Sequence, residues 1–461
     1  MKEGRLEDAE KAFLEALAES PSHAPSSVQL ARLYSRWGRL EEARRTLERG
    51  LEHRPDGIVL LNELGSLLLA EGKAAEARPI FERALGVEPK NPRARLGLAQ
   101  SLGEMGDPER ALAALDEARA LEVLHPGLEV YRAIVLARLG RSGEAVEVLE
   151  GVLARNPEAP EAQRQLGLLL APSRPRDALT HLTAALRALP EDEAALTTAG
   201  LLAYSLNQDS DAADFLERAL ARDPTNVEAR TTLGKLFFRR VDYEDARHAF
   251  ERALEDDPGS EEAHFYLGEI ERASQRFEEA AHHFQKAGSA EARKRLGEAL
   301  LKMRSYDEAE TAFEEALALE TESRARAETL YLLGSLRSEQ SDDDGAVALL
   351  TEASKSNPYH AGVRYLLGTV LARLGRGEEA RKELETFRSL KAFEEKKGKL
   401  ELAILEHPAE ASSYRPLIEL YLEHGRGAEA LAFLEKALAL APEDRALLEL
   451  KARFHDGEPR C

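Results

Sequence analysis

Leu61, Leu64, Leu68 and Leu69 recur at spacings of three and four residues, so the segment starting at Ile58 reads as a helix with one apolar stripe. Gly72 ends it, Ala77, Phe81, Ala84 and Leu85 mark the apolar face of a second helix, and Pro89 stops that one. Residues 58–91 therefore predict an antiparallel helix pair. Gly65 and Ala77 are small enough to let the two backbones approach, while Phe81 fills the space further along. The motif returns as a ladder of alanines at Ala9, Ala43, Ala77, Ala111, Ala145, Ala178, Ala212, Ala246, Ala280, Ala309, Ala346, Ala380 and Ala430, the first four steps being 34 residues each. A period of this size predicts stacked helical hairpins rather than a globule with one centre.

Within that frame Gly65, Gly167, Gly200, Gly234, Gly268, Gly297, Gly334 and Gly368 hold one equivalent place in successive first helices. Phe13, Phe81, Phe250, Phe284 and Phe313 hold another in the second helices, and Pro21, Pro55, Pro89, Pro157, Pro190, Pro224, Pro258, Pro358 and Pro442 close the units. The pattern resembles the tetratricopeptide repeat along nearly the whole chain. The resemblance implies an all-α fold: a tetratricopeptide-repeat α-solenoid, an open right-handed superhelix of antiparallel helix pairs. Residues 1–23 then read as the second helix of an incomplete N-terminal repeat and 24–394 as a tandem array of eleven repeats. Residues 395–410 extend the last second helix, 411–444 form a final repeat, and 445–461 form a capping helix and tail.

The departures from the period carry their own expectations. Pro172 and Pro175 replace the usual Gly turn and predict a stiffened corner at 172–176. The unit 261–289 lacks its terminal proline, so its second helix hands over through Gly288 and Ser289. The stretch Glu378–His407 reads as a lengthened second helix, with Gly398 the place for a break; about 30 helical residues reach roughly 45 Å and are expected to jut from the array. Its Leu384, Phe387, Phe393, Leu400 and Leu402 lack an obvious partner, so it is either a solvated charged helix or a partner or self-association helix. Leu6, Phe13 and Leu17 would show apolar surface that a missing first helix normally covers, predicting a frayed end, a dimer contact or a natural start further upstream. Leu447, Leu450 and Phe454 suit a capping helix that is apolar on one face.

Charge narrows the partners. A formal net charge of −21 repels phosphates and anionic headgroups and disfavours nucleic acid and membrane surfaces. The single cysteine, Cys461, allows no intrachain disulfide. The opening MKEGRLEDAEKAF has no signal-peptide core and no stretch is apolar enough to insert in a bilayer. A cytoplasmic location is expected, with export left open should the true start lie upstream of Met1.

No zincin helix, phosphate-cradling glycine loop or nucleophile elbow is present, so no catalytic residue and no cofactor is assigned and the chain is not expected to be an enzyme. His248, His282 and His283 come closest to a metal set but are read as outward-facing, without ligand status. Binding of other proteins is the favoured function. The resemblance implies that first helices line a groove that takes an extended peptide or a partner helix. The family's carboxylate clamp of lysines and asparagines is absent, and of the asparagines only Asn62 is expected to face inward. What remains is a patch of Tyr204, Lys235, Phe238, Arg239, Phe265, Arg272, Lys294 and Tyr331, aromatic anchors beside cations, expected to be locally basic and to grip acidic or aromatic segments. The competing expectation is that these are ordinary groove residues. At the level of the whole protein, a free-standing interaction scaffold competes with a targeting or regulatory segment of a larger enzyme or envelope-assembly protein.

Overall fold

The structure, a computed structural model, describes residues 2–123 and 125–455, with side chains from Glu7 to Ala452. Leu6, Phe454 and Cys461 lie outside the described side chains. Among the described residues there are 26 α-helices and no strand. They fall into two compact units, Met1–Asp256 and Asp257–Cys461.

The first unit begins with α1 (Lys2–Glu19) and continues in pairs: α2 (Ala24–Arg36) with α3 (Leu40–His53), α4 (Ile58–Ala70) with α5 (Ala74–Val87), α6 (Pro92–Glu104) with α7 (Pro108–Ala120), and α8 (Pro126–Arg138) with α9 (Ser142–Arg155). It ends with α10 (Pro160–Leu170) and α11 (Pro175–Ala188), α12 (Glu193–Ser205) and α13 (Asp209–Arg222), and α14 (Val227–Arg239) and α15 (Tyr243–Asp256). The second unit pairs α16 (Glu261–Ala273) with α17 (Phe277–Lys286), α18 (Ala290–Lys302) with α19 (Tyr306–Leu319), α20 (Ser323–Glu339) with α21 (Asp343–Ser356) and α22 (Ala361–Arg373) with α23 (Gly377–Glu406). It closes with α24 (Ala411–Glu423), α25 (Gly427–Leu440) and α26 (Arg445–His455). The all-α array of hairpins expected from the period is the fold.

All but one of the described hairpin turns between a first and a second helix share one design. Gly72 takes φ 73°, and the Lys73 amide donates to the Leu68 carbonyl at 2.8 Å, the six-to-one bond that satisfies a carbonyl at a helix end. The equivalent bond recurs from Arg39 to Tyr34, Gln208 to Ala203, Asp242 to Phe237 and Arg376 to Leu371. In the short repeat 160–192 the left-handed residue is missing: the Arg174 amide bonds directly to the Leu170 carbonyl at 2.8 Å, and Pro175 opens α11. At the other end, side-chain caps start many of the first helices, as where Asn91 accepts from the Ala94 amide at 3.0 Å and Asp192 from Ala195 at 2.8 Å.

Packing follows the small-against-large rule. Phe81 is 1% exposed, and a methyl placed on Gly65 would lie 2.5 Å from its Cζ. Gly97, in the next first helix, closes on the same end of that ring. In the second unit Phe284 meets Gly268 and Phe313 meets Gly297 in the same manner.

The long helix departs from expectation. α23 runs for 30 residues straight through Gly398, and its extension lies against the last repeat rather than jutting away. Phe393 is 3% exposed with its ring 5.7 Å from Tyr421, Leu400 packs in the same cluster, Phe387 lies 5.2 Å from Tyr365, and Leu384 fills the space above Gly368. Of the five apolar residues expected to lack partners, Leu402 stays exposed, beside Leu405. At the amino end Phe13 and Leu17 pack on the cluster formed by α2–α5, while Leu14 is open to solvent.

Candidate interaction surfaces

Along the first unit neighbouring first helices, such as α4 with α6 and α12 with α14, approach one another more closely than its second helices do. Closer spacing on one side means that the first-helix layer is the inner side of this unit's curvature. Tyr204 on α12 is half-buried there, beneath two cations from α14: the Arg239 guanidinium carbon sits 4.3 Å from the ring centre and Lys235 Nζ 5.7 Å from it. Arg239 also donates to Asn207 Oδ1 at 2.9 Å and pairs with Asp209. Phe238 lies 5.5 Å from the ring of Tyr243 on α15, tilted 47° to it, and so leans toward its own hairpin partner. The structure thus brings Tyr204, Lys235 and Arg239 into one cluster, in which the arginine is already neutralised.

The other four candidates lie in the second unit. Phe265 on α16 sits 5.9 Å from the core ring of Phe284, and Tyr331 on α20 lies 5.2 Å from His360. Arg272 is held by both oxygens of Glu269, with the shorter bond at 2.7 Å, and that hydrogen bond raises its pKa against the opposing effect of burial. Lys294 is not a groove cation. It is 4% exposed and clasped between Glu291 at 2.7 Å and Glu328 at 3.1 Å. Burial would lower its pKa, but the two carboxylate hydrogen bonds outweigh burial and hold the ammonium above the ordinary lysine value. Arg295 adds contacts to Glu269, Glu291 and Glu298. The expected free positive charge on this stretch is therefore taken up in an ion-pair network, in which Arg272, Lys294 and Arg295 are matched by Glu269, Glu291, Glu298 and Glu328.

Two further expectations are revised. Asn62 is 5% exposed and donates to Asn91 Oδ1 at 3.0 Å, so it supports the cap of α6 instead of facing a groove. Thr197 does the same for Asn226, which donates to its hydroxyl at 3.0 Å. His248 is exposed beside Glu251. His283 meets His264, a residue that sequence reasoning passed over, at 3.1 Å between Nδ1 atoms. His264 is 4% exposed. Burial first, then the neighbouring His264 and His282, holds His283 down at about 4, and burial lowers His264 as well. A lone histidine on an otherwise mixed helix face gives no sequence signal for such a pair; only the hairpin register joins positions 264 and 283. Among the described residues no group of three or more histidines, cysteines and carboxylates is placed to hold a metal. No described helix is long and apolar enough to cross a membrane.

Family models described as tetratricopeptide repeat match residues 1–60, 68–128 and 339–393 in one version, and 130–173, 168–227, 231–292 and 294–337 in another. No curated protein matches the sequence. Among solved structures the chain is similar to one from the APC/C Cut9–Hcn1 hetero-tetramer, at 15% identity over 96% of this chain and 98% of that one, with a TM-score of 0.35. It is also similar to a thermophilic repeat protein of Thermus thermophilus, at 22% identity over 39% and 97% with a TM-score of 0.35. A third is MamA of Desulfovibrio magneticus RS-1, at 27% identity over 36% and 94% with a TM-score of 0.33.

Proposed function

The chain belongs to the tetratricopeptide-repeat family, and from that premise we propose that it is a non-catalytic scaffold which holds an extended peptide or a partner helix along its first-helix layer. Repeats of this family serve in general as protein-interaction scaffolds. The observation that supports the finer reading is the cluster of Tyr204, Lys235 and Arg239, an aromatic platform under two cations on the inner side of the first unit. Such a platform offers a ligand both a π face and hydrogen-bond donors at little cost in side-chain entropy, because the arginine is already fixed by Asn207 and Asp209. In the second unit Phe265 and Tyr331 supply aromatic surface and Arg272 a fixed guanidinium.

Affinity purification from the native host supplies the partner, and titration of that partner against variants tests the mode. Replacing Tyr204 and Arg239 together with alanine is expected to weaken binding at least about tenfold, the loss of one central hot spot. The combined Phe238→Ala, Phe265→Ala and Arg272→Ala variant reports on the remaining positions. Undiminished affinity in both would remove the first-helix layer as the binding surface.

A further inference from the structure

α17 stops after 10 residues where α15 and α19 run for 14, and Ala287, Gly288 and Ser289 pass the chain directly into α18. Beside this shortened helix a trench of about 810 Å³ opens between α17 and α19, floored by α18. Leu296, Leu300 and Met303 follow one another along the floor, the two leucines showing only 8% and 7% of their surface, and the small side chains of Ala281 and Ala312 leave room between the walls. From Arg293 to Met303 the floor is about 15 Å long, three turns of helix. One end is closed by Arg293, which bridges Glu315 at 3.1 Å and the Gln285 carbonyl at 3.2 Å. At the other end Glu278 and Glu308 face each other across the trench from the first turns of α17 and α19, both exposed, and among the described residues neither makes an ion pair.

The geometry points to this trench as a second docking surface, on the second-helix side of the repeat 261–289 and its successor, for a three-turn amphipathic helix of another protein that carries lysine or arginine beside its apolar ridge. An apolar ridge with i, i+3, i+4 and i+7 spacing matches a floor of leucine, leucine and methionine between two parallel walls. The charge of the mouth selects the partner. Glu278 and Glu308 line the mouth with Glu279 and Asp307 beside them, and Lys302 and Arg304 at the adjoining end of α18 offset two of these four charges, so that the mouth stays net acidic even against the roughly +0.5 that each helix N-terminus contributes. A second copy of this chain, at net −21, would bring like charge to an acidic rim, whereas a basic helix gains on approach and after docking.

The probe is a fluorescent peptide of about 14 residues with leucines on one helical face and lysines flanking them, titrated against the full chain. Binding is expected to weaken at least about tenfold in Glu278→Lys/Glu308→Lys and again in Thr311→Trp, which fills the trench from an exposed wall position, while both keep the wild-type circular dichroism spectrum. A control peptide with glutamates in place of the lysines is expected not to bind. Wild-type affinity in both trench variants, or equal binding of the acidic peptide, overturns the proposal. So does concentration-dependent self-association in sedimentation that Thr311→Trp abolishes, because the occupant is then a second copy. Tyr204→Ala/Arg239→Ala is expected to leave probe binding unchanged, which separates this surface from the first-helix layer.

Discussion

Phe81 points the end of its ring at two glycines from successive first helices, and leaves neither of them room for a methyl group. Gly65→Ala is therefore expected to cost about 1–3 kcal/mol by overpacking, seen as a lower urea midpoint, and Phe81→Leu in the same chain is expected to recover part of the loss. A Gly65→Ala variant as stable as wild type would show that the ring can move aside. The histidine pair gives a prediction of opposite kind. The folded pKa of His283, about 4, lies below the ordinary 6.5, so the unfolded chain takes up its proton first. The stability this residue contributes is complete above pH 6.5 and is lost as pH falls toward 4. Lys286 and His282 reinforce the depression and Glu271 opposes it. Melting curves between pH 7 and 4.5 are expected to fall less for His283→Leu than for wild type; an equally steep acid limb in the variant would end this assignment. Residues like these divide what sequence can show. Gly65 and Phe81 recur at fixed places in a periodic frame and were readable, whereas the meeting of His264 with His283, 19 positions away, follows no repeat period, and the clasp of Lys294 by Glu291 and by Glu328, one period on, gives no sign in the sequence that the lysine is buried.

At the scale of the hairpin, every described turn but that of the repeat 160–192 uses a left-handed residue, and the chain supplies it in two ways. Gly38, Gly72, Gly106 and Gly140 supply it early and Gly375 and Gly425 late, but Asn207, Val241, Gln275, Arg304 and Ser341 occupy the same conformation between them. Val241, at φ 66° and 64% exposed, is the costliest, since a β-branched side chain gains no packing there to offset the crowding. Val241→Gly is expected to stabilise the protein by about 0.5–1 kcal/mol once glycine's greater unfolded entropy is deducted, and Gly72→Val to destabilise it by about 1–2 kcal/mol. Thermal melts of the two variants, moving in opposite directions, check this; a loss of stability in Val241→Gly would count against strain at the turn. The glycine turns could be read as helix ends directly, while Val241 carries no turn signal and takes its conformation from the helices it joins. The long α23 shows the complementary gap: its length was legible from the spacing of Ala380 and Pro408, but its resting place was not, because Phe393 and Leu400 find Tyr421 and the last repeat only once the hairpins stack.

Across the molecule, stability is local by construction. Each hairpin buries its apolar face against its neighbours in sequence, so the hydrophobic clusters follow one another along the chain instead of meeting at a centre. Damage is then expected to spread by neighbour contacts and to fade with distance. Phe81→Ala removes a fully buried ring from the cluster formed by α2–α5 and costs about 3–5 kcal/mol at that point. Amide hydrogen exchange on this variant is expected to quicken in α4, α5 and α6, where Gly65 and Gly97 lose the ring they pack on, and to stay at wild-type rates in α12–α15, several repeats further along the same unit. The physical reason is that each hairpin of the unit packs chiefly on its neighbours in sequence, so a distant repeat feels the loss only through the repeats between. Equal loss of protection in every helix would mean that the array unfolds as one cooperative body, and neighbour-by-neighbour stacking would then fail as the account of its stability.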